Sequence, residues 1–179
     1  MALSDELERI AAAAVAHGTV TGVLAAEPAF EAARVYLVSF GEEASLGWLV
    51  FDEQARPLDR REAVRETASI VVMCELAGEL AGGGDLEALR THLAELALVE
   101  QPPGIDAAQE AALELQRAIG APPRVASLHY LDAVGEAARN LEATLGEIES
   151  PLASAVAASA GVVEAFIRDV ETRYKLPLR

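Results

Sequence analysis

The chain has one cysteine, one tryptophan, one asparagine and one lysine. A lone Cys74 forms no intrachain disulfide, so the fold must rest on its core, and a reducing compartment is the simpler setting. Arginine outnumbers lysine 13 to 1, which reads as a GC-rich coding bias and carries no chemistry. Bases of either kind are scarce. Fourteen Lys and Arg stand against 29 Asp and Glu, for a formal net charge of -15. Nucleic-acid binding needs clustered cations that displace counterions from phosphates, and this surplus of acid repels the backbone instead. It disfavours anionic membrane surfaces for the same reason. The sole basic cluster, Arg56, Arg60, Arg61 and Arg65, is interleaved with Glu62 and Glu66. That is the pattern of a solvated helix face with i,i+4 pairing.

Long hydrophobic runs are also missing. The longest stretch free of Asp, Glu, Lys and Arg, Ile10 to Ala26, is mostly small residues and is broken by His17-Gly18-Thr19, so it makes a poor membrane span. The opening residues carry Asp5 and Glu6 where a signal peptide would carry bases. The expectation is a soluble, cytoplasmic protein.

The usual carriers of chemistry are absent as well. His17, His92 and His129 fall on three different expected elements, with no H-x-x-x-H or C-x-x-C pair to hold zinc. The Glu-x-x-His motif of helical di-iron sites does not occur: Leu89 and Ala126 stand where Glu would precede His92 and His129. No Glu-x-x-Glu pair is present either. Glu75 and Glu79 are i,i+4 neighbours able to share a proton or a metal, although a solvated stripe needs nothing more. Cys74 sits among apolar neighbours, the setting of an inert buried thiol. Gly82-Gly83-Gly84-Asp85 lacks the Lys and Ser/Thr of a phosphate loop and reads as helix punctuation. No metal and no cofactor is therefore expected. The best remaining polar group for a ligand pocket is His129, Tyr130 and Asp132, close together on one expected helix.

What the chain does have is enough apolar mass for a core. Of its 179 residues 52% are hydrophobic; alanine supplies 37 of them, and the bulky remainder is still too large for a disordered tail. The length suits a single domain over 1–179, with an N-terminal helix and small sheet in 1–58 and a helical region in 59–179.

Ser4 reads as an N-cap, followed by an apolar series Leu7, Ile10, Ala14 and Val15 that stops at His17-Gly18. Thr19 to Leu24 is β-branched and suggests a strand. Val35–Phe40 and Leu46–Phe51, joined by a short polar loop, read as an antiparallel hairpin. A helix from Asp59 to Ala81 has an apolar centre at Ile70–Cys74. Further helices are expected from Asp85 to Val99 and from Asp106 to Ile119. A long one should run from Arg124 to Ile148, with a seam at Leu131, Val134, Ala138, Leu141, Leu145 and Ile148. Ser150-Pro151 opens a last helix whose seam runs from Leu152 to Val170, so Pro122 to Tyr174 reads as an antiparallel αα-hairpin.

The fold expected is α+β and predominantly α-helical. It has five to six helices, including the long C-terminal αα-hairpin, and a small two- or three-stranded antiparallel sheet near the N-terminus. In the hairpin strands, apolar residues occupy both faces: Tyr36, Val38 and Phe40 on one, Val35 and Leu37 on the other. Such a sheet wants cover on both sides, and a second subunit is one source of it. The leading expectation is an acidic interaction protein without assignable catalysis, working as a homodimer, with a protein partner and neither nucleic acid nor membrane. The alternative is a small-molecule-binding or hydrolytic domain with a pocket between sheet and helices.

Overall fold

The computed structural model describes residues 2–28, 33–41, 47–120 and 123–148, together with Gly161, Ala165, Phe166 and Arg168. Among them the fold is α+β and helix-dominated, with five α-helices and one four-stranded mixed sheet. The second arm of the expected C-terminal hairpin, apart from those four residues, lies outside the described residues.

The chain divides into two compact units. The first takes residues 1–74 and 123–128, the second 75–122 and 129–179.

The first unit opens with α1 (Leu3–Ala14), a 3₁₀ turn (Val15–His17) and β1 (Val20–Glu27). Helix α1 starts one residue before the expected cap. Ser4 lies inside the first turn, and Asp5 reaches back to accept the Ala2 N–H at 3.3 Å. Its inner stripe is Leu3, Leu7, Ile10 and Ala14, spaced 4, 3 and 4. Val15, expected to extend that stripe, is exposed because the chain tightens to 3₁₀ there and leaves the α-helical phase. Gly18 then takes φ 152°, a conformation open to glycine, and turns the chain into the sheet.

Strands β2 (Val35–Phe40) and β3 (Gly47–Phe51) form the expected antiparallel hairpin, and β1 pairs antiparallel on the far side of β2. A bulge between Val20 and Gly22 leaves Thr21 as the extra residue. The sheet is larger than expected and not wholly antiparallel. Val125–Ser127, expected as the start of the long helix, is a strand, β4, which lies parallel to Ala25–Glu27 and completes the order β3-β2-β1-β4. A β-branched residue soon after Pro122-Pro123 suits extended backbone, but three residues are too few to show an alternation.

One face of this sheet packs on α1. Tyr36, Val38, Phe40, Phe51 and Ala25 join Ile10 and Ala14 in one buried cluster, with Leu49, Val23 and Val125 against it. Helix α2 (Arg61–Gly82) follows, and its predicted apolar centre is helical, with Ile70, Val71, Met73 and Cys74 all buried.

The second unit holds α3 (Asp85–Val99), α4 (Ile105–Ile119) and α5 (Leu128–Gly146), the last from residue 129 on. Helix α3 buries Leu86, Leu89, Leu93 and Leu96, and α4 buries Ile105, Ala108, Ala111, Ala112, Leu115 and Ile119. A five-residue connection through Gly104 (φ 85°) folds α4 back on α3, where the Gln109 amide donates to the Leu93 carbonyl at 3.5 Å. Helix α5 runs antiparallel to α4. Tyr130 at its start reaches Ile119 at the end of α4, while Glu147 beyond its end lies against Gly104. The predicted seam of α5 is its inner face: Leu131, Val134, Ala138, Leu141 and, past the helix end, Ile148 are buried.

Candidate functional site

The trio nominated from the sequence lies on α5, with its members in different surroundings. His129 and Asp132 are exposed on α5. Tyr130 is half-buried, and its hydroxyl donates to the Ile119 carbonyl at 3.0 Å, which closes the α4–α5 junction. Part of the trio is thus occupied in holding two helices together. Glu75 and Glu79 are both exposed on α2, as a solvated stripe would be. The basic residues Arg60, Arg61 and Arg65 are exposed too, and Arg56 is bound to Asp52 at 2.9 Å. Among the described residues, no three His, Cys, Asp or Glu side chains gather as a metal site needs.

A different polar cluster stands out in the first unit. One carboxylate oxygen of Glu6, on α1, accepts from the Tyr36 hydroxyl at 2.7 Å and from the Arg34 guanidinium at 2.9 Å. Tyr36 is almost fully buried, and Arg34 and Glu6 are each mostly covered. The Tyr36 hydrogen bond, then Arg34, holds the Glu6 carboxyl below its ordinary range against an opposing effect of burial. Burial and the Glu6 carboxylate push the Tyr36 phenol up. For Arg34, burial works against the charge, but the Glu6 carboxylate outweighs it and the net shift is upward.

These are the marks of a structural ion pair as much as of a reactive centre. The residues tie α1 to the sheet and leave no nucleophile or base free to act. Sequence spacing hides the cluster, since Glu6 lies 28 and 30 residues from its partners.

Tyr36→Phe removes a hydrogen bond to a charged group and is expected to cost about 1.5–3 kcal/mol at neutral pH. Because the folded Glu6 carboxyl is more acidic than the unfolded one, its contribution is present above the ordinary value of 4.5 and fades as pH falls below it. The gap between wild type and Tyr36→Phe in urea melts should therefore narrow from pH 7 to pH 3. A gap that stays constant would disprove the coupling.

Two of the clefts formed by the described residues lie each within one unit. One, of about 380 Å³, is lined by Ala2, Leu3, Ser4 and Leu7 of the α1 region and by Arg124. The other, of about 310 Å³ between α3 and α4, is lined by Arg90, Leu93, Asp106, Gln109 and Glu110 among others. In the second, Arg90 is paired with Glu87 and Glu110 with Arg117. Neither cleft is lined by Glu6, Arg34, Tyr36 or Asp52, the groups whose acidity is displaced.

The sheet face opposite α1 also departs from an ordinary surface. Strand register places Val50, Leu37 and Leu24 in one row and Trp48, Ser39 and Gly22 in the next. Val35, Leu37 and Val50 on this face are buried, yet Trp48 and Leu24 are each 43% exposed. The polar atoms between them satisfy one another: Thr21 donates to Ser39 at 2.8 Å, and Ser39 lies within 3.4 Å of the Gly22 carbonyl. The result is an apolar patch on an acidic molecule, running from Trp48 on the edge strand β3, which carries no charged side chain, to Leu24 in the middle of β1.

No protein family, curated protein or solved structure matches this chain. The functional reading therefore rests on its own geometry. No helix among the described residues is long and apolar enough to cross a membrane.

Proposed function

We propose that this chain is an interaction protein without catalytic activity, that it works as a homodimer, and that it acts in the cytoplasm. The observation that carries the reading is the Trp48–Leu24 patch, where a largely buried sheet face opens to solvent. Bulky apolar groups left in water gain free energy from a second surface laid against them, at roughly 25 cal/mol per Å² covered. The lone Cys74, a buried thiol outside any disulfide, asks for no oxidising compartment. With a net charge of -15, the surface left outside a dimer is acidic and suits a basic protein partner, through an attraction that salt should screen. Nucleic acid and anionic membranes remain disfavoured by the same charge.

The small-molecule or hydrolytic alternative needs convergent polar groups with displaced acidity in one cleft, and that combination is what the two clefts lack. Light scattering after size exclusion tests the homodimer. A dimer is expected at tens of micromolar, with the emission of Trp48 shifting to the blue as concentration rises. A monomer with concentration-independent emission overturns the reading.

A further inference from the structure

The charge of this chain is not spread evenly. Over residues 75–120 and 129–148 of the second unit, 13 Asp and Glu stand against three Arg. Two of those bases are taken within the unit, Arg90 by Glu87 and Arg117 by Glu110. The same unit holds the two most exposed bulky apolar residues among those described, Leu98 at 83% and Val99 at 73%, neighbours at the end of α3. We infer that the face between α3 and α4 docks an amphipathic helix of a basic protein partner, its apolar stripe on Ala94 and Leu98 and its Lys or Arg residues over Glu95 and Asp106, which rests on the reading of a basic partner and gives that partner its surface.

The cleft between α3 and α4 is a groove between antiparallel helices. The Gln109 amide meets the Leu93 carbonyl at its middle, so Arg90 and Leu113 mark one end and Asp106 lies toward the other. Leu93, Ala94 and Leu113 supply its apolar lining. Leu98 comes four residues after Ala94, one turn further along the same face of α3, and carries the apolar strip beyond the groove. Glu95, three residues before Leu98, borders that strip. Glu95 and Asp106 are exposed, and among the described residues no ion pair takes up either carboxylate. From Arg90 to Leu98 the strip is about 12 Å long, which matches roughly two turns of a partner helix.

Three observations favour this occupant. Both walls are helices, whose main-chain groups are bonded within each helix except at the ends, so no edge is offered to an extended strand. Side-chain packing is what remains, and a helix laid in a groove uses it. Next, α3 has no basic residue in its last turn, so the chain itself leaves the carbonyl end beside Leu98 and Val99 without a compensating cation. A partner's Lys or Arg placed there gains from the helix dipole as well as from Glu95. Last, a second copy would bring the same surplus of carboxylates to this face, and nucleic acid would bring phosphates. A basic helix brings the opposite sign.

The test uses the full chain and a fluorescein-labelled synthetic Lys/Leu peptide of about four turns, with leucines at i, i+3, i+4 and i+7. A peptide of the same composition, scrambled so that no apolar stripe forms, is the comparison. The patterned peptide should bind with a gain in helical circular dichroism, and the scrambled one about tenfold more weakly or worse. Leu98→Ala should weaken the patterned peptide about tenfold, as should the pair Glu95→Gln with Asp106→Asn. The pair Glu75→Gln with Glu79→Gln on α2 removes as much charge outside the groove and should change affinity less than about twofold. Added salt should shrink the effect of the Glu95 and Asp106 pair and spare that of Leu98→Ala. Equal binding of the two peptides, or equal effects of the α2 pair and the groove variants, would mean attraction by net charge alone. Either result overturns the groove and leaves the basic partner standing. Absence of binding by both peptides at tens of micromolar overturns the two together. A dimer that the patterned peptide dissociates gives the groove to a second copy, and also overturns the docking of a basic helix.

Discussion

Phe51→Ala is expected to destabilise the first unit by about 3–5 kcal/mol, the range for deleting a fully buried aromatic side chain. Phe51 is inaccessible to solvent and ends β3 on the face that α1 covers. Its ring meets His17 edge-on, with centroids 5.7 Å apart and planes at 70°. Strand, helix and the turn after α1 therefore all lose packing when the ring is removed. The cost has two parts, lost transfer free energy and the void left behind, and the second depends on how far neighbours relax. Phe51→Leu leaves a smaller void and should cost distinctly less in urea melts of the same protein. Equal losses for the two would mean that the ring contributes by something other than filling space. Such a result would also weaken the assignment of Phe51 to the packing face and Trp48 to the open one.

That pair of residues shows where the sequence was readable and where it was not. Both hairpin strands were legible because their residues are aromatic or β-branched and a polar loop separates them. Alternation also says correctly that Tyr36, Val38 and Phe40 share a face. It does not say which face a helix covers, since both faces are apolar in composition, and so Trp48 looked as buried as Phe51. β4 was missed because a strand of three residues has no period to detect, and the parallel partner that stabilises it lies about 100 residues away. The Glu6–Arg34–Tyr36 cluster was missed for a related reason: hydrogen bonds between a helix and a strand leave no spacing rule in the chain. His129 and Asp132, three residues apart, share an exposed face of α5, while Tyr130, next to His129, is turned toward the end of α4, so nearness in sequence does not bring the three side chains together. The inner faces of α3, α4 and α5 were easier. A helix carries its own period, and each buries the stripe that this period marks.

Leu93→Ala is expected to cost about 2–5 kcal/mol in the second unit, while Leu98→Ala on the same helix should change stability by about 0.5 kcal/mol or less. Both are leucines of α3, five residues apart, with the same propensity for helix. They differ in where the helix turns them. Leu93 is wholly buried in the stripe Leu86, Leu89, Leu93 and Leu96, and the Gln109 amide of α4 reaches its carbonyl. Leu98 is 83% exposed, beside Val99 at 73%. Removing Leu93 opens a void between two helices, and Ala108, Ala111 and Ala112 among the buried residues of α4 have no rotamer with which to fill it. The cost should therefore fall toward the upper part of the range. Thermal or urea melts followed by the helical signal decide the matter. A loss for Leu98→Ala as large as that for Leu93→Ala would mean that the exposed end of α3 is itself covered by a partner in solution, and the count of interaction surfaces between copies would rise beyond the Trp48–Leu24 patch.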